Sequence, residues 1–132
     1  MATGDFSALD RMIASLRSLS TLPKDAAAAG APLVEAELRA TAAAGQAPDG
    51  TPWAPRKKDG GRAMANAANA ITVRAVGTTI LITLRGPEVY HHFGAAGKPP
   101  RRVIPMGSMP KRIGDAVRLG FVQPWRKVKG QR

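Results

Sequence analysis

The chain has no cysteine in its 132 residues. That excludes a disulfide frame, a thiolate nucleophile and a thiolate metal site. Aromatic side chains are scarce: Phe6, Trp53, Tyr90, Phe93, Phe121 and Trp125 are all there are. Alanine supplies much of the apolar content, so the expected core is thin, of the kind that gains stability from assembly with partners. No run approaches the roughly 18 apolar residues of a membrane span. Asp5 and Asp10 stand where a signal peptide would be basic, so a soluble intracellular protein with no membrane partner is expected. The length fits one domain that buries roughly two thirds of its unfolded surface.

Acidic side chains are also scarce, but only in one part of the chain. Residues 1–50 hold four basic and six acidic side chains, a balance of −2, while residues 51–132 hold sixteen and three, a balance of +13. Together these give the net charge of +11. A surface of that kind attracts nucleic acid, an acidic protein face or anionic lipid.

Periodicity predicts the elements. Phe6, Leu9, Met12, Ile13, Leu16 and Leu19 recur at helical spacing, with Asp5 as cap. A second helix starts at Ser20 or Thr21, with Pro23 in its first turn, and runs to about Gln46. Gly30 and Pro32 read as a kink or break. The prolines, glycines and two Asp-Gly pairs of residues 47–62 make a loop, and a short helix is expected from about Arg62 to Asn69. Runs rich in Ile, Val and Thr at 71–76 and 79–85 flank Gly77-Thr78 as an antiparallel hairpin. One or two helical turns follow at 87–93, then a short edge strand at 101–105. A last helix is capped by Ser108, with Pro110 at its start and Ile113, Val117 and Phe121 at core spacing. The expected class is α+β, with N-terminal helices packed on a small antiparallel sheet and a C-terminal helix. A single domain covers 1–122, and 123–132 reads as a basic, mobile tail.

Catalytic chemistry finds little material. Adjacent residues on a helix point about 100° apart, so His91 and His92 do not converge on one ion, and only Glu88 is near. "GAAGKPP" lacks the glycine spacing and the Ser or Thr of a phosphate-binding loop. No metal or cofactor is expected, and an enzyme, such as a small hydrolase, is the least supported class. Nucleic-acid binding has more: Lys98, Arg101, Arg102, Lys111, Arg112 and Arg118, with Arg126, Lys127 and Lys129, are candidate phosphate contacts. Zinc-finger spacing, an aromatic RNA-binding pattern and a helix-turn-helix are all absent, so such binding would be nonspecific.

Two stretches carry a resemblance. "PDGTPWAPRK" (48–57) resembles the Pro-Asp-Gly-x-Pro-Trp-x-Pro loop of the bacteriophage virion-morphogenesis, or tail-completion, proteins. "VYHHFGAAG" (89–97) is similar to that family's tyrosine followed by His-Gln-Phe-Gly after a hairpin, and the order of elements agrees. Asp49, Gly50, Pro52 and Trp53 match the first motif, and Tyr90, His91, Phe93 and Gly94 the second. His92 stands where the family often has glutamine. The resemblance implies a non-enzymatic virion protein that completes the tail at its head-proximal end or joins it to the head through the neck. It implies a ring of copies of itself, commonly six, made in the bacterial host cytoplasm. Its partners would be the head–tail connector, the tail tube or terminator proteins, and packaged double-stranded DNA met without sequence specificity. In that setting Arg74, Arg85, Lys98, Arg101 and Arg102 are the candidate DNA- or partner-facing residues. Trp53 and Trp125 are the candidate interface anchors, with loop packing as the competing role for Trp53. Tyr90 and Phe93 are expected to plug the short helix onto the sheet, Gly94 to end it, and His91 to fix that corner by a hydrogen bond.

Overall fold

The computed structural model describes residues 4, 6–56, 64–94 and 99–130. Asp5 and Lys98 lie outside the described residues. The elements in order are α1 (Ser7–Ala43), α2 (Ala67–Ala70), β1 (Ile71–Val76), β2 (Thr79–Leu84), α3 (Glu88–Phe93) and α4 (Lys111–Gly130). The class is α+β, as expected: a long N-terminal helix and a C-terminal helix accompany a two-stranded antiparallel sheet.

Four expectations are corrected. The two N-terminal helices are one 37-residue helix that runs through both Pro23 and Pro32. Each proline removes a backbone donor and crowds the preceding turn, but both face solvent, so the helix can relieve the crowding outward. The basic tail is likewise helix: α4 continues through Pro124 to Gly130, with Pro124 and Val128 buried. Residues 101–105 form no strand. At the start of α4, Pro110 occupies the cap position expected of Ser108, because its carbonyl accepts the first helical hydrogen bond, from Gly114 N–H at 3.0 Å.

The helices α1 and α4 run antiparallel. The Arg112 guanidinium meets the Glu37 carboxylate at 3.0 Å, though not in hydrogen-bond alignment, and eight residues further along α4 Gly120 lies against Gly30. A methyl group on Gly120 would sit 2.4 Å from the Gly30 Cα, so two glycines let the backbones touch. The remaining face of α1 covers the hairpin. Ile71, Val73 and Ala75 of β1 point inward with Ile80, Ile82 and Leu84 of β2, toward Ala31, Val34, Leu38 and Ala42. Four of the ten residues in the buried cluster are alanine, so the core is as thin as the composition predicts. The outer edge of β1 is occupied by α1. Glu35 Oε2 accepts from Val73 N–H at 2.9 Å, and Arg39, paired with Glu35 at 3.0 Å, donates to Ile71 C=O at 3.1 Å.

Candidate functional site

The two motifs of the resemblance are brought together by one short segment, residues 101–103. The first motif begins where α1 ends. Gly45, at φ 73°, allows the left-handed stop. Its N–H donates to Ala42 C=O, while Gln46 N–H reaches back to Thr41 C=O. The chain then makes a tight turn over residues 47–50, with Pro48 at the position that favours its fixed φ and Gly50 at φ 92°. Gly50 N–H donates to Ala47 C=O at 2.9 Å, and Ala47 N–H to Thr51 C=O at 2.8 Å. The Asp49 carboxylate accepts from Thr51 N–H at 3.0 Å, and that bond holds its pKa below the ordinary value. Asp49 and Gly50 are thus turn formers. The turn returns the chain so that Trp53 N–H bonds Gly45 C=O at 2.9 Å. The Trp53 ring packs against the core cluster, and its indole N–H donates to Arg102 C=O at 2.8 Å.

The second motif meets the same segment from the other side. Arg101 N–H donates to His91 C=O at 2.8 Å, and Arg102 Nη1 to His92 C=O at 3.0 Å. Val103 N–H donates to the Nδ1 of His92 at 3.0 Å. The guanidinium of Arg101 turns inward to the Trp53 loop. Its Nε donates to Ala54 C=O at 2.8 Å and one Nη to Pro55 C=O at 3.2 Å, while the other lies 3.3 Å from His91 Nδ1. Trp loop, segment and α3 therefore form a clasp in which Arg101 and Trp53 are the cross-pieces.

The structure reassigns several predicted site residues. Arg101, expected to face a partner or DNA, is only 5% exposed and serves the clasp. Arg102 is half-buried and partly committed to it. Trp53 takes the competing role considered for it, packing beneath its own loop. Trp125 is half-buried on α4 and stacks on Phe121, with ring centroids 5.9 Å apart. Tyr90 and Phe93 do not plug α3 onto the sheet: they are 70% and 63% exposed. The buried ring of α3 is His92, singled out from the sequence only as standing where the family often has glutamine. On a helix this short, the spacing Tyr90–Phe93 and the spacing Val89–His92 offer two alternative inner faces. The deciding factor is polar, because the extended segment needs an acceptor for Val103 N–H, which His92 supplies and phenylalanine cannot. Gly94, at φ 75°, does end the helix as expected, and its N–H returns to Tyr90 C=O.

His92 is fully buried, and its Nε2 has no hydrogen-bond partner among the described residues. Burial, followed by the nearby Arg102 charge, lowers its pKa below the ordinary value. The unfolded chain therefore takes up a proton below about pH 6.5 that the folded chain resists. The contribution to stability is complete above that pH and is lost as pH falls through it, by at most about 1.4 kcal/mol per pH unit. Denaturant melts between pH 7.5 and 5.5 should show a falling midpoint. His92→Gln retains an acceptor and does not titrate, so it should flatten that slope. An unchanged slope would remove His92 as its source.

The exposed basic side chains have few acidic partners among the described residues. Lys111 and Arg118 share Asp115 at 2.8 and 3.4 Å, and Arg112 is engaged with Glu37. Arg74 and Arg85, on and just beyond the hairpin, are exposed and have no ion pair among the described residues. Among the described residues no group of three His, Asp or Glu is placed to hold a metal ion, and no helix is long and apolar enough to cross a membrane. No protein-family model, curated protein or solved structure matches this chain.

Proposed function

We propose that this chain is a structural virion protein of a tailed phage or phage-derived particle, acting as a ring at the head-proximal end of the tail or in the neck. The observation that carries the reading is the clasp. The two motifs that resemble the tail-completion proteins lie about forty residues apart in sequence, yet both close on residues 101–103. What the clasp leaves outside also supports it. Tyr90 and Phe93 are two exposed aromatic side chains on α3, tyrosine being a residue type that anchors interfaces, and Arg74 and Arg85 present positive charge with no ion pair among the described residues. A subunit with a thin core and such surfaces is suited to being completed by neighbours.

Particles assembled without this chain should accumulate as DNA-filled heads beside unattached or irregular tails, seen by electron microscopy. Supplying the wild-type chain should restore joining. The Tyr90→Ala/Phe93→Ala variant should fail to restore it while keeping its stability within about 0.5 kcal/mol, as surface substitutions do. Whole, infective particles in the absence of the chain would overturn the reading.

A second reading, nonspecific nucleic-acid binding by the free subunit, is favoured by Arg74 on the hairpin and Arg85 just beyond it, both exposed and without an ion pair among the described residues. It predicts binding whose logarithmic salt slope is near −5 for about six phosphate contacts, lessened by about 1 for each of Arg74→Ala and Arg85→Ala.

A further inference from the structure

The first turns of α1 extend past the end of their partner helix. Gly120 lies against Gly30 in the antiparallel pair, and ten residues further on in α4, Gly130 comes level with Ser20. Residues 6–19 therefore form an arm roughly 20 Å long. Five of its apolar side chains are exposed, Phe6 66%, Leu9 47%, Met12 56%, Ile13 38% and Leu16 57%, while Leu19 at its end is half-buried and Ser15, off the apolar stripe, is buried. An exposed apolar area on the order of 500 Å² is as large as the largest patch of a typical monomer.

The spacing on this arm is that of a coiled-coil seam. Phe6, Leu9, Ile13, Leu16, Ser20 and Pro23 recur at alternating steps of three and four, and every one of them is exposed. On one flank of the seam stand Asp10 and Arg17, exposed and without an ion pair among the described residues. On the other stand Met12 and Leu19. We propose that the arm pairs antiparallel with the arm of a second copy of this chain about a twofold axis near residues 14 and 15. In that register Ile13 layers on Leu16 of the second copy and Leu9 on its Ser20, each twice by symmetry. The same register sets Arg17 opposite Asp10 of the other copy, twice, and Met12 opposite its Leu19. Apolar seam, opposite charges and symmetry agree in one alignment, whereas a parallel pair sets one flank against the other, so that Arg17 would face Met12 and would not meet Asp10. The exposed apolar area of the arm is below the about 800 Å² that each partner of a standard interface buries, so a reversible pair is expected. It is independent of the function proposed above.

The test is sedimentation equilibrium of the intact chain, read as molar mass against concentration. Wild type should pass from monomer to dimer over the micromolar range. Leu16→Glu, at an exposed position that leaves folding intact by circular dichroism, should weaken the dimer at least tenfold. Asp10→Arg and Arg17→Asp should each weaken it, and the double variant should restore it. The natural absence of cysteine gives a clean register test. The Ile13→Cys/Leu16→Cys variant should oxidise to a covalent dimer, and Ile13→Cys alone should not. A monomer at all concentrations, a charge swap without rescue, or a single-cysteine dimer would each overturn the proposal. So would binding of a monomeric chain to vesicles of mixed neutral and anionic lipid through the same residues.

Discussion

Gly120→Ala should destabilise the protein by about 2 kcal/mol or more. The added methyl would lie 2.4 Å from Gly30 Cα, 2.6 Å from its nitrogen and 3.1 Å from the carbonyl carbon of Ala29. All three are backbone atoms of a helix and cannot step aside as a side-chain end can. The two helices would have to separate along their whole length, loosening the packing that buries Ala27, Ala31, Ala116 and Val128. Overpacking costs reach about 3 kcal/mol, and the helix propensity gained from replacing glycine recovers only about 1 kcal/mol. Gly30→Ala is the control. There the new methyl would meet the end of the Ile80 side chain at 3.4 Å, which can shift slightly, so the small packing cost and the gain in helix propensity come close to cancelling. Equilibrium unfolding in denaturant separates the cases: a large loss at Gly120 and little change at Gly30. Equal effects at both sites would mean that the helices do not cross there.

Arg101→Ala should cost about 3 kcal/mol and release the Trp53 loop. Its guanidinium is buried among carbonyl oxygens, with no carboxylate partner among the described residues. Hydrogen bonds from a charged group are worth about 1.5–3 kcal/mol each and do not simply add. Removing the side chain frees the carbonyls of Ala54 and Pro55 and leaves a gap beside His91. Lysine cannot repair it, because one ammonium lacks the planar fork that reaches both carbonyls and the imidazole. Arg102→Ala should cost less: its side chain makes one bond, to His92 C=O, and its own carbonyl still receives the Trp53 indole. In a Trp125→Phe background Trp53 is the sole tryptophan. Its emission should shift to the red in Arg101→Ala, and unchanged emission and stability would remove Arg101 from the clasp.

Signals that are local were legible in the sequence. The alternation of Ile, Val and Thr gave the hairpin with its two-residue turn, where Gly77 sits at φ 61°. Pro87 and Gly94 bracketed α3. Signals that depend on a distant partner were misread. Gly30 and Pro32 resemble a helix break when only their own helix is considered, yet Gly30 is part of the contact with Gly120, ninety residues away. The continuation of α4 was written in the sequence as Ile113, Ala116, Gly120, Pro124 and Val128, spaced by three and four. Three of those five residues are too small or too irregular to register as apolar periodicity. Arg101 was assigned outward because charge normally faces water. Nothing local marks it as the residue whose donors match two loop carbonyls.

The prolines of α1 carry a further consequence for how the molecule opens. Without an N–H at Pro23 and Pro32, the carbonyls of Leu19 and Ala28 have no donor four residues ahead, so the hydrogen-bond ladder is interrupted twice. The first interruption falls near the point where α4 ends alongside α1. A fluctuation that unwinds the helix from its start can therefore halt at Pro23 without drawing on the Leu38 layer. Amide protons of residues 10–19 should then exchange as a separate, weakly protected unit, while those of residues 34–43 exchange only with the whole domain. One continuous helix thus has two thermodynamic halves.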